Sequence, residues 1–277
     1  MGSDSVFAAF GADPNYAASL FFVLWLFVSA GVYFALILQL SGRTLAGTAG
    51  PAKRFGLPEA FLAVGLIFYL LLLISGSSSR ASVQLSTRDL LANLLFSVVI
   101  VLIVVTFLQL RGLDISSLGG FFKISFRRAV GTGVILMFLA YPLISLADVI
   151  TERFFKAGTS KQGIVELFSG SRTIEQRVMI IVFAVAIAPV IEEFLFRFFL
   201  YGVLKRYFGR FLGIIVNALL FAAAHTHLPS FMPLFVLGSC FTIAYEWSGS
   251  LLVSMTMHSL FNSLTLVVLA FPELFSQ

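Results

Sequence analysis

Eight runs of apolar residues, most of them about as long as a bilayer is thick, constrain this chain more than anything else in it. A helix needs roughly 20 predominantly apolar residues to cross the hydrocarbon. Ala17–Leu40 meets that without a single charge. The other runs fall at Leu57–Ile74, Leu90–Leu110, Val130–Ile150, Ile174–Phe208, Phe211–His225, Leu228–Trp247 and Leu251–Phe271, the fifth long and the sixth short. Their hydrophobicity is continuous rather than alternating, and lipid admits only helices or closed barrels. The expected fold is therefore all-α, a polytopic membrane helical bundle of about eight transmembrane helices forming one domain over residues 1–277.

Composition agrees. Hydrophobic residues make up 59% and charged residues 11%, where a soluble domain carries about 25% charged. Disorder, a coiled coil and an ordinary cytosolic enzyme are excluded, and one cysteine, Cys240, cannot build a disulfide scaffold. The net charge of +5 comes from cations clustered between the apolar runs, which is the distribution of membrane-flanking charge. The bilayer is an expected partner and nucleic acid is not. Ahead of the first run stand Asp4 and Asp13 but no Lys or Arg, so the basic region of a cleaved signal peptide is lacking. Two connections are long. Arg111–Arg128 reads as partly interfacial, and residues 152–172, with Phe154, Phe155, Val165 and Phe168 among mixed charges, as an amphipathic segment on the bilayer surface. Counting Lys and Arg by side gives ten against seven in favour of both termini outside. A short, loop-poor chain of this kind suits a prokaryotic plasma membrane.

Ionisable groups at membrane depth are costly and are functional-site candidates by default. In the first half, Glu59, Asp148 and Arg88–Asp89 lie near span ends and read as caps or solvated ends. The second half differs. The fifth run carries Glu192, Glu193 and Arg197, while Asn217, His225, His258 and Asn262 follow on later runs and His227 between two of them. Glu193 and Arg197 are i,i+4 and share a face, so they can pair. Glu192 lies about 100° round the helix and is left for chemistry. His258 and Asn262 share a face, as do Asn217, Phe221 and His225. Pro189 should kink the fifth run and open room beside the glutamates. Such groups can also be plain glue between helices, but a carboxylate, two histidines and an asparagine on three spans point to a site. His227 reads as an interface residue and Cys240 as packing.

Glu192-Glu193-x-x-x-Arg197, Phe221-x-x-x-His225 and His258-x-x-x-Asn262 resemble, in order and spacing, the three motifs of the CPBP (CAAX protease and bacteriocin-processing) intramembrane proteases, which include the Ras-converting prenyl endopeptidases. The motif-bearing stretch, residues 174–271, would be the catalytic core. The resemblance implies an endopeptidase in which Glu192 and His225 activate a water while His258 and Asn262 hold the oxyanion, with Glu193 and Arg197 in support and no cofactor. It also implies a membrane-associated protein or peptide as substrate, lipidated ones included. Amide hydrolysis does need a base for water and donors for the tetrahedral oxygen. Within the enzyme class the rival is zinc held by Glu192, His225 and His258, a His₂Glu set with one open position. Outside it stand a non-catalytic membrane scaffold and, more weakly for want of internal repeats, a proton-coupled transporter.

Overall fold

The computed structural model describes residues 14–43, 55–77, 86–155, 167–171 and 173–271. Among these, seven continuous helical stretches are long and apolar enough to cross a membrane, and the chain is a multi-pass integral membrane protein. The helices are α1 (Pro14–Ser41), α2 (Leu57–Ser77), α3 (Thr87–Leu110), the single turn α4 (Ile115–Leu118) and α5 (Phe126–Phe155). A long rod follows, made of α6 (Ile174–Val182), a π segment (Phe183–Ile187), α7 (Ala188–Glu193), a second π segment (Phe194–Leu200) and α8 (Tyr201–Ala224). Last come α9 (Phe231–Ser248) and α10 (Leu251–Ala270).

The fifth and sixth expected spans both lie in that rod, which runs over Ile174–Ala224 as 51 residues. Gly209 divides it. Its φ of 78° and ψ of 175° break the helix inside α8, a left-handed backbone that glycine adopts without a Cβ penalty. A Cβ on Gly213 would lie 3.1 Å from the backbone nitrogen of Lys205, so the short arm after Gly209 packs directly on the one before it. The sixth helix of the sequence reading is this second arm, so seven continuous stretches hold the eight expected spans.

Burial runs from the rim inward. The apolar windows of α1, α2 and α3 are 17%, 17% and 11% buried, against 56% for the α9 region. The three early helices therefore present their Leu, Phe and Val side chains to lipid, as the missing charges require. The core is the second π segment, where Phe198, Phe199, Leu200 and Arg197 are fully enclosed. Local sequence places several ends: Ser86 and Asp89 form a capping box at the start of α3, and Thr173 caps α6 through the Gln176 N–H.

Two sequence expectations need correction. Glu59 accepts the Gly56 N–H as a cap would, but it is fully buried and paired with Arg111 at 3.1 Å rather than solvated. Of the segment read as amphipathic and interfacial, 152–155 and 167–171 are described, and there the apolar Leu167 and Phe168 are buried with Leu90 and Ile180; the rest lies outside the described residues. Lys205 and Arg210, counted as cytoplasm-facing loop cations, are buried on Glu246 at 2.7 and 2.9 Å. Without them the charge count stands at eight against seven, and the orientation bias all but vanishes.

Candidate active site

Around Pro189 the rod departs from regular α-helix. The irregularity is spread into the two π segments, which bracket α7. Wide turns of this kind add a residue to a turn and re-aim the side chains beyond it. Between them, Glu192 and Glu193 point to different neighbours, as a rotation of about 100° per residue demands.

Glu193 is fully buried, and its Oε1 stands between two partners. Arg197 Nη1 lies 3.0 Å away, without the alignment of a hydrogen bond, so the pair is held chiefly by charge. The guanidinium also lies 4.2 Å from the centre of the Phe221 ring and 5.1 Å from that of Phe241, an aromatic cage suited to a cation. The second partner is His258, whose Nδ1 is 3.0 Å from the same oxygen. A carboxylate oxygen only accepts, so Nδ1 carries the proton and donates.

His225 sits at the C-terminal end of α8 as its cap residue. Its Nδ1 donates to the Phe221 carbonyl at 2.8 Å, and the Phe221 ring meets it edge-on at 4.7 Å. In the neutral ring the other nitrogen, Nε2, then bears the lone pair. That Nε2 lies 3.9 Å from Glu192 Oε2, and His258 Nε2 lies 3.8 Å from the same oxygen. Both distances are too long for a direct hydrogen bond and each is of the length that a bridging water spans. Glu192 Oε2 is buried and has no hydrogen-bond partner. The acceptor is thus buried beside two imidazoles.

Asn262 is half-buried and donates one amide N–H to the Ala184 carbonyl at 2.8 Å. Its amide carries a second N–H. Asn217 is brought elsewhere, donating to Thr242 Oγ1 at 3.1 Å. His227 bonds Ser230 Oγ at 2.8 Å beside a short 3₁₀ turn, and Cys240 is buried in the core. Among the described residues, no group of three His, Cys, Asp or Glu side chains is placed to hold a metal ion.

Sequence reasoning missed the Glu193–His258 contact, because it joins helices 65 positions apart. It also missed Glu246, whose two oxygens each accept from Lys205 Nζ and of which Oε1 also accepts from Arg210 Nε. The signal available was a lone carboxylate in an apolar run with two cations unaccounted for on the preceding one. Arg210 further reaches the carbonyls of Leu40 and Arg43, and Arg43 that of Trp247. These bonds tie the C-terminal ends of α1 and α9 to the Gly209 break within α8.

Comparison with known proteins falls on the same stretch. Residues 174–264 match the family described as type II CAAX prenyl endopeptidase Rce1-like. The chain is 30% identical over 101 residues to the membrane-embedded CAAX protease MroQ of Staphylococcus aureus (strain USA300), an overlap of 34% of this chain. The match spans 41% of that relative's length. No solved structure matches. The third of the chain that carries the glutamate pair, His225, His258 and Asn262 thus resembles the type II CAAX prenyl endopeptidases.

Proposed function

We propose that the protein is an intramembrane endopeptidase that hydrolyses a peptide bond of a membrane-associated protein or peptide with a water activated by Glu192 and His225. The observation that carries this is the unpartnered, buried Oε2 of Glu192 facing the Nε2 atoms of His225 and His258 at 3.9 and 3.8 Å. A water placed there gives its proton to Glu192 or to the His225 lone pair as its oxygen attacks the scissile carbonyl. The carbonyl oxygen becomes an anion and needs donors. Asn262 offers its second N–H and His258 its Nε2–H. Donation from Nε2 calls for a ring protonated at both nitrogens, because Nδ1–H is already given to Glu193. The proton taken from water then passes to the leaving amine, and both bases return to their starting forms.

The substrate class follows from the family name, in which a CAAX tail is the object of cleavage. Lipidated C-terminal tails are the first candidates, with other membrane-bound peptides behind them. The membranes of cells producing wild type and a Glu192→Gln variant should differ by uncut tails that accumulate with the variant. Identical peptide termini in the two membranes would return the protein to the scaffold or transporter readings.

One observation favours a second reading within the same activity. Both histidines have Nδ1 tied to an acceptor and turn Nε2 toward Glu192, and histidine ligands of metals are held in that way. Glu192, His225 and His258 would hold zinc, which would acidify a bound water. The present spacing of 3.8–3.9 Å is wider than the roughly 3.4 Å between donors in a tetrahedral site with bonds of about 2.0–2.1 Å. Protein-activated water fits the distances better.

A further inference from the structure

The rod that carries the glutamates leaves a backbone gap at its first π segment. There each N–H reaches five residues back, and the Ala188 N–H donates to Phe183 O. One position on, the same step would take residue 189 to the Ala184 carbonyl. Residue 189 is proline and has no N–H to give. The Ala184 carbonyl is met instead by Asn262 Nδ2 at 2.8 Å, from a helix 78 positions further along the chain. Ala184 is 7% exposed, so its carbonyl needs a partner from within the protein.

We infer that Pro189 is a positioning residue for the proposed hydrolysis, acting through Ala184 and Asn262. By withholding an N–H it keeps the Ala184 carbonyl open, and that carbonyl pins the Asn262 amide. With one N–H spent on the backbone the amide cannot turn, and its second N–H is held in place before charge develops on the substrate oxygen. Oxyanion donors work by being oriented in advance. The inference rests on the peptidase reading above and assigns the proline a task other than bending the helix.

The test is a double-mutant cycle between Pro189→Ala and Asn262→Ala. Alanine at 189 restores an N–H that competes for the Ala184 carbonyl. Pro189→Ala should lower kcat about tenfold, a fraction of the roughly 10²–10³ expected for loss of a whole donor. KM should not change, and the melting midpoint in detergent should not fall. The double variant should be no slower than Asn262→Ala alone. Wild-type kcat in Pro189→Ala, losses that multiply in the double variant, or a lowered midpoint for Pro189→Ala would each overturn the inference. Stability supplies a readout independent of catalysis: Asn262→Ala should lower the midpoint more in the wild-type background than beside Ala at 189. Absence of that coupling in a protein that cleaves its substrate overturns the inference. Its presence in a protein that cleaves nothing overturns the peptidase reading instead.

Discussion

Glu193 and His258, on different helices and nearly inaccessible to solvent, meet at 3.0 Å through one carboxylate oxygen and one ring nitrogen. The same oxygen faces Arg197. One carboxylate therefore neutralises the buried guanidinium and also fixes which nitrogen of His258 looks toward Glu192. The two neighbouring glutamates have different surroundings, Glu193 held by Arg197 and His258 and Glu192 facing the two Nε2 atoms.

Replacing each glutamate by glutamine should give different outcomes. Glu193→Gln leaves Arg197 as a buried charge without its counter-ion, a change that costs about 3–5 kcal/mol. Low yield and a depressed melting midpoint in detergent are expected. Glu192 is 29% exposed at its side chain and has no such partner, so Glu192→Gln should fold normally and lose activity. Equal destabilisation by both would contradict the division.

The cluster around Glu246 should matter to stability and not to chemistry. Glu246→Gln strips the counter-charge from Lys205 and Arg210, which are 2% and 7% exposed. A loss of about 3–5 kcal/mol is expected. The surviving folded fraction should keep the wild-type KM. A changed KM at unchanged stability would mean that the cluster reaches the substrate.

Two glycines with the same backbone angle offer a controlled comparison. Gly112 and Gly120 both have φ of 68°. A Cβ on Gly112 meets nothing within 4 Å, while one on Gly120 would come within 1.9 Å of the Gly249 carbonyl oxygen. Gly112→Ala should show the strain of a left-handed residue alone, about 1–2 kcal/mol. Gly120→Ala should cost more, because the connection after α3 is bonded to the α9–α10 turn through Leu251 N–H and Gly119 O at 3.1 Å. Equal thermal shifts for the two would show that this docking is dispensable.

Much of the site was readable because helix periodicity is a strong rule. The i,i+4 pairing of Glu193 with Arg197 and the divergence of Glu192 follow from residues per turn, and both are found. The division of the fifth and sixth spans was legible as well, since Gly209 interrupts an apolar run between Phe208 and Phe211. The two π segments were not. They are changes of backbone step, and no residue type announces them; Pro189 marks only that the regular helix is interrupted nearby. Contacts between helices distant in sequence, such as Asn262 with Ala184 or Glu246 with Lys205, leave no periodic trace. They become visible only when the bundle is assembled.

Chelation separates the two ways of activating water. With Glu192 and His225 as the bases, exhaustive chelation should leave activity intact and metal analysis should find less than one equivalent. Asn262→Ala should then lower kcat about 10²–10³-fold with little change in KM. Loss of activity on chelation and its return with zinc would establish the metal reading.

The most direct measurement of the central claim is cleavage of a membrane-reconstituted peptide tail by purified wild type and by Glu192→Gln of matched melting midpoint. A carboxylate that removes the proton from water cannot be replaced by an amide. Wild type should cut and the variant should not, at any substrate concentration. Equal cutting by both proteins would contradict the account.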